Sequence, residues 1–341
     1  MYSNEKKINK LFLYWLIISL IFVFFIIIVG GLTRLTNSGL SITKWELFTG
    51  ILPPLNNSTW KIYFDQYKQI PQYKILNSSM SLNEFKIIFY WEYFHRILGR
   101  IIGLFFLIPI FFFYLSKKIK SEHMNIAYLI LVLILLQGII GWYMVKSGLV
   151  NDVTVSHYRL SIHLCTAILI ISTIFWLVRN IISKNNKIFF NFSINNLPFQ
   201  MFILLIFIQI MMGAFVSGLD AGKIYQTWPL MGNNYFPNDL LIKNLQNITE
   251  FDNHSLVQFY HRNLAYIIVI YILLLTIYIY KKKMKDLYNP LKILLFLLFI
   301  QICLGIFTLI SGLNIYLASA HQITSVLLVF SALNLYFLRA K

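Results

Sequence analysis

Long apolar runs separated by short polar joints dominate the chain. Counting runs of at least ~18 apolar residues as membrane spans predicts eight helices, at about 11–32, 87–115, 125–145, 157–178, 198–217, 255–280, 290–311 and 315–338. Basic residues punctuate these runs at alternate joints: Lys6, Lys7 and Lys10, then Lys117, Lys118 and Lys120, then Arg179, Lys184 and Lys187, then Lys281, Lys282, Lys283 and Lys285, and finally Arg339 and Lys341. An even number of spans returns both termini to one side, and the Lys and Arg excess makes that side cytoplasmic. The two long connections, about 33–86 and 218–254, carry Glu46, Asp65, Glu84, Asp220, Asp239, Glu250 and Asp252 and therefore face outward. At that length they are expected to cap a site.

Composition agrees with the pattern. Of the 341 residues, 58% are hydrophobic and 12% charged, with a mean hydropathy of +0.70, which excludes an ordinary soluble domain. The formal net charge of +17 would by itself suggest a nucleic-acid partner. The basic residues sit mostly at one set of helix ends, however, so membrane lipid and not nucleic acid is the expected surface. Cys165 and Cys303 each lie inside an apolar run, giving neither a metal-type cluster nor an evident extracellular disulfide. The basic segment Met1 to Lys10 precedes an apolar run with no small-residue cleavage site, so a retained first helix is expected and not a signal peptide.

The chain also matches itself. Gly30 to Trp45 aligns with Gly213 to Trp228 without a gap, and Gln137, Gly141, Ser147, Gly148 and Leu149 recur as Gln301, Gly305, Ser311, Gly312 and Leu313. The expected fold is therefore an all-α integral membrane protein of eight transmembrane helices, arranged as two pseudo-symmetric four-helix bundles from an internal duplication. The halves are 1–187 and 188–341.

Ionisable groups inside apolar spans are costly and mark function. The densest stretch is Trp91-Glu92-Tyr93-Phe94-His95-Arg96-Ile97-Leu98-Gly99-Arg100. Glu92 and His95 stand three apart and share a helix face, while Arg96 and Arg100 form a stripe beside them. The pattern returns at Gln258, His261 and Arg262. His95, His163, His261 and His321 lie roughly six to nine residues past the outer ends of the four inward-running spans, ~9–14 Å below the outer surface. Within each half, two such imidazoles on facing helices can hold a low-spin haem iron from both sides. Arg96 and Arg262, each next to a candidate ligand, can pair with propionates. A single histidine of this kind can equally be an interhelical hydrogen-bond partner, but four at matched depth favour cofactor ligation. Zinc fits less well, because two histidines per half fall short of four ligands. His123 in the basic loop is expected to be solvated and His254 interfacial.

His157 competes with His163, since extending the Gln137/Gln301 match without a gap pairs His157 with His321, whereas depth favours His163. Six residues between them make a rotation of ~600°, so both cannot face one iron. Arg34 and Lys44 either snorkel to the interface or reach a propionate. Gly99, Gly103, Gly141 and Gly148 are read as helix packing, and the aromatic content of 17% as interfacial belts.

With these residues in hand, the sequence resembles the haem A synthase family, in its proteobacterial and mitochondrial branch. The motifs span nearly the whole chain: Gly-Gly-Leu-Thr-Arg-Leu-Thr-Asn-Ser-Gly-Leu-Ser-Ile (30–42), Glu-Tyr-Phe-His-Arg (92–96), Gly-Trp-Tyr-Met-Val-Lys-Ser-Gly-Leu (141–149), Tyr-Arg-Leu-Ser-Ile-His-Leu (158–164), Gly-Leu-Asp-Ala-Gly (218–222), Trp-Pro-Leu-Met (228–231), Tyr-His-Arg (260–262) and Ala-His-Gln (320–322). The resemblance supports His163 over His157. The outer-loop cysteine pair of the Gram-positive branch has no counterpart here.

The resemblance implies oxidation of the C8 methyl group of haem O to a formyl group, by successive hydroxylations and loss of water, giving haem A for terminal oxidases such as cytochrome c oxidase. It implies a haem b on His261 and His321, and a substrate haem in the N-terminal half with Glu92, His95 and His163 as the catalytic set. The expected location is the bacterial inner membrane. The expected upstream partner is the haem O synthase, a protohaem farnesyltransferase, and a homo-oligomer stays open. Two other classes remain at this point: a bis-histidine membrane cytochrome carrying electrons from quinol, and a haem-handling transporter or chaperone without chemistry.

The basic clusters give a first prediction. A reporter fused after Lys341 reads as cytoplasmic and one inserted near Asn56 as exterior; an exterior C-terminus would invert the topology.

Overall fold

The computed structural model describes residues 2–44, 49–240 and 248–340. Trp45 and Glu46 of the first outer connection and the terminal Lys341 lie outside the described residues. The helices are α1 (Tyr2–Leu35), α2 (Asn57–Tyr67), α3 (Pro71–Leu76), α4 (Leu82–Ser116), α5 (Ser121–Asn151), α6 (His157–Ser183), α7 (Leu197–Gly218), α8 (His254–Lys281), α9 (Tyr288–Ile310) and α10 (Ile315–Arg339). Eight of the described helices, all but α2 and α3, are long and apolar enough to cross a membrane, as the apolar runs predict. Exposed side chains along them include Phe25, Leu104, Phe111, Ile139, Ile267 and Phe296, an exterior suited to lipid.

Helix ends differ from the predicted span ends where caps decide them. α4 begins at Leu82, not near 87, because Ser81 and Glu84 form a reciprocal capping box. His95 therefore stands thirteen residues into its helix, against six or seven for His163, His261 and His321.

The chain divides into two compact units, 1–170 and 171–341, with the dividing line inside α6. In the first unit α1 lies along α4. Trp15 packs at 4.5 Å on Phe106 and donates its indole N–H to the Phe105 carbonyl at 2.9 Å, and Phe12 meets Phe113 edge-on at 5.0 Å. The first outer connection is not an open loop. Asn56 caps α2, whose Trp60, Phe64 and Tyr67 recur at helical spacing and bury against Phe85 and Phe89 of α4. Fully buried Tyr67 donates to Gln72 and accepts from Asn77, at 2.9 and 2.7 Å. Burial raises its phenol above the usual range.

In the second unit α7 packs on α8 and α10, and α9 on α10. The C-terminal part of α6 joins through Trp176, stacked on Tyr336 and edge-on to Phe337. Lys187 donates to the Phe337 and Ala340 carbonyls at 2.9 and 2.5 Å, closing the end of α10. In the second outer connection Tyr225 donates to Asp239, which also accepts from Ser255, both at 2.6 Å. That bond to Asp239, then burial, raises the Tyr225 phenol.

Candidate functional site

Each of the four half-buried imidazoles lies against a glycine on the preceding membrane helix. A Cβ added at Gly30 of α1 would stand 2.9 Å from Cε1 of His95, at Gly141 of α5 3.0 Å from that of His163, at Gly213 of α7 3.1 Å from that of His261, and at Gly305 of α9 2.9 Å from that of His321. A methyl there would press on the ring and force it to shift. These glycines do more than general helix packing, the role expected of Gly141, since by contrast a Cβ added at Gly103 or Gly138 would meet nothing within 4 Å among the described residues outside its own helical turn.

The first unit brings His95 and His163 together, with ring centres 6.4 Å apart and planes at 62°. Two opposed imidazoles bonded to one metal at about 2 Å each put their ring centres about 6 Å apart, so the spacing fits a shared metal. It is His163 that faces His95. His157 stands at the start of α6, buried, its ring 4.0 Å from Tyr158. Helix starts explain why the ungapped repeat misleads. After the matching Gly148-Leu149, α5 continues to Asn151 and α6 begins only at His157. After Gly312-Leu313, both at positive φ, α10 begins at Ile315. Counted from the helix start, His163 and His321 both stand six residues in.

Among the described residues no three or more His, Cys, Asp or Glu side chains cluster so as to hold a metal ion. Paired imidazoles alone suit a metal that brings its own in-plane ligands, as a porphyrin iron does. The Nδ1 atoms of His95 and His163 are buried without a hydrogen-bond partner among the described residues, leaving the rings for such a group to order. Cys165 and Cys303 are free and half-buried.

Above the first pair, Glu92 is 3% exposed and accepts at both oxygens. Oε2 takes the Ser41 hydroxyl at 2.7 Å and the Ile42 N–H at 2.8 Å, and Oε1 takes Nε and NH2 of Arg96 at 3.0 and 2.5 Å. Arg96 also donates to the Ile42 carbonyl at 3.0 Å. The two side chains thus clamp the chain leaving α1 onto the outer part of α4. A buried pair satisfied in this way holds, whereas one partner alone would be strongly destabilising. The second unit has the same clamp in another chemistry: Gln258 and Arg262 both donate to the Tyr225 carbonyl, at 2.8 and 2.9 Å, and Arg262 also reaches the carbonyls of Thr227 and Leu230. Ile42 and Tyr225 are the same position of the Gly30/Gly213 match.

Arg96 and Arg262, expected at propionates, make these main-chain contacts. Arg34 donates to Asn37 at 2.8 Å. Lys44, Arg96 and Arg100 line a cleft with Tyr63, Phe89 and Tyr93. Ser41 and Ile42 carried no role in the sequence reading, nor did Gln209, whose amide lies 3.2 Å from Nδ1 of His261. A signal for Gln209 was present: a glutamine four residues before the ring-facing glycine occurs at Gln137, Gln209 and Gln301.

A helical membrane protein that seats imidazoles against glycine notches, with a pair spaced for a macrocyclic metal, defines a class of haem-handling membrane proteins. The chain belongs to the cytochrome oxidase assembly protein family (COX15-CtaA), whose model matches residues 13–333. It is 50% identical over 332 residues to a protein of Pelagibacter ubique named Heme A synthase, covering 97% of both chains. A Nitrosospira multiformis protein of the same name is 41% identical over 338 residues, covering 97% of this chain and 94% of its own. One from Rickettsia prowazekii is 39% identical over 329 residues, covering 95% and 96%.

The notches give a second prediction. Gly305→Ala displaces the His321 ring and lowers the haem copurified with the protein about tenfold or more, whereas Gly138→Ala, with open space around the added methyl, leaves it unchanged. Haem content per protein by pyridine haemochrome checks both.

Proposed function

We propose that this chain is a haem A synthase, oxidising the C8 methyl group of haem O to a formyl group to give haem A for terminal oxidases. The observation that carries the reading is 50% identity along 97% of the chain to a protein named Heme A synthase. Haem O is the substrate, taken by the pair in the first unit. His95 and His163 bind its iron side, and their 6.4 Å ring separation supports that role. Glu92 belongs to the same half as a positioning residue, acting through Arg96 and the Ser41-Ile42 segment that it holds. The apolar helix surfaces around the pair suit a farnesylated substrate arriving from the bilayer, handed over by the haem O synthase.

His261 and His321 hold a resident haem b in the second unit. A haem b bound there supplies one-electron redox chemistry. The protein keeps each ring in a notch opposite Gly213 or Gly305 and closes the outer end with Arg262. The Lys and Arg clusters support placement in a bacterial inner membrane with both termini cytoplasmic.

Co-expression with haem O synthase, followed by extraction and chromatography of haems, separates this reading from an electron-carrying cytochrome or a haem carrier. Haem A in the extract is expected; unchanged haem O would sink the proposal. Glu92→Gln removes one of two acceptor oxygens, so two of the four donors lose their partner. The expected result is retained haem b with haem A yield lowered about tenfold and substrate or partly oxidised haem accumulating. Full haem A yield from that variant would leave Glu92 a loop contact with no bearing on turnover.

A further inference from the structure

The four imidazoles share a notch but not an anchor. One helical turn before the ring-facing glycine the chain has Gln209, Gln301 and Gln137, but at the fourth position, before Gly30, it has Ile26. In the second unit both rings are held at their nitrogens. The Gln209 amide lies 3.2 Å from Nδ1 of His261 and donates to the His261 main-chain oxygen at 3.0 Å. Nδ1 of His321 lies 3.0 Å from the main-chain oxygen of Gln301. A carbonyl only accepts, so that contact fixes the proton on Nδ1 and puts the lone pair on Nε2, which the Gln301 side-chain amide faces at 3.3 Å and a metal would take in its stead. In the first unit Gln137 passes the ring and donates to the His163 main-chain oxygen at 3.0 Å. Ile26 has no amide to offer, and Nδ1 of both His95 and His163 is buried without a partner among the described residues.

We propose that this difference separates a retaining haem site from an exchanging one: Gln209 and the Gln301 carbonyl are positioning groups that preset His261 and His321, while unanchored His95 and His163 take a haem that must come and go. The proposal rests on the assignment of the resident haem to the second unit. Outer-shell partners of a ligating histidine raise its basicity and add about 10–100-fold to metal affinity. A substrate site gains nothing from that affinity, because it slows release of the product. With iron on Nε2 the His261 Nδ1 carries its proton and needs an acceptor. Oε1 of Gln209, buried and without a partner among the described residues, is on the amide beside it, and turning it toward Nδ1 exchanges the bond that the amide donates to the His261 main-chain oxygen for one accepted from the ring.

The test uses full-length protein purified with its haem, mixed with excess apomyoglobin as acceptor, with release followed by absorbance. Potentiometry and the ferric low-spin resonance are recorded in parallel. Gln209→Leu is expected to release haem b about tenfold faster, with a more positive reduction potential, because the imidazole loses basicity and the ferric iron loses support. Ile26→Gln, which gives the first unit the residue that the second has, is expected to slow release of bound haem O by a similar factor. Wild-type release and potential in Gln209→Leu, while His261→Ala loses its haem, would overturn the proposal and leave the resident-haem assignment standing. Full haem retention in His261→Ala would overturn that assignment and the proposal together. Where Gln209→Leu does not accumulate, Ile26→Gln decides alone: haem O release at the wild-type rate overturns the proposal.

Discussion

Placing an imidazole between membrane helices is the constraint on which the rest depends. The ring is polar and as broad as a helix–helix gap, and lipid offers it no hydrogen bond. The solution, used four times, is to remove the opposing Cβ: His95 sits on Gly30, His163 on Gly141, His261 on Gly213 and His321 on Gly305. Glycine costs about 1 kcal/mol of helix stability relative to alanine, an amount that close backbone approach and dispersion contacts readily offset. The notch also fixes the ring from one side, so that a ligand need order it only from the other. Helix pairing, helix rotation and ligand geometry are therefore set by the same contact.

The outer connections depend on the same helices in a second way. Glu92 and Arg96 lie on the turn that carries His95, and Gln258 and Arg262 on the turn that carries His261. Each pair reaches the main chain twelve residues after its notch glycine, at Ile42 and at Tyr225. The chain that leaves a notch helix is thereby tied back to the helix bearing the histidine. A shift of that histidine helix would break several hydrogen bonds to buried groups, each expensive to leave unmade. The aromatic packing of Trp60 on Phe89, with ring centres 5.0 Å apart, adds an apolar cover in the first unit.

Much of this was legible before the fold was seen. Eight spans follow from apolar run length, since that length is dictated by the bilayer and little else. The site histidines stand out because an ionisable group in such a run has few innocent explanations. The less legible parts have physical reasons. The helices α2 and α3 are too short and amphipathic to register as spans, and only the spacing of Trp60, Phe64 and Tyr67 betrays them. His157 and His163 could not be ranked by an ungapped repeat, because the turns before α6 and α10 differ in length. The main-chain partners Ile42 and Tyr225 have no side-chain signature at all. Gln209 was hidden by being one amide among apolar residues, and it gains meaning only beside Gln137 and Gln301.

The two units thus reuse one scaffold of notches and clamps with a few polar exchanges. At the clamp, Glu92 accepts the N–H of Ile42 where Gln258 donates to the carbonyl of Tyr225. The first unit carries a buried ion pair at that point and the second an uncharged amide beside an arginine. At the notch, Ile26 stands where the second unit has Gln209. Neither exchange alters helix length, and both alter what a ring or a carboxylate can bond to. Under the proposed assignment, a buried carboxylate–arginine pair beside weakly anchored imidazoles suits a place where a haem is altered and passed on. An arginine clamp without a carboxylate, around firmly anchored imidazoles, suits a place where a haem stays. The chemical division proposed for the units then needs no difference of fold: it would follow from which hydrogen-bonding groups the chain sets one helical turn away from each histidine or its glycine.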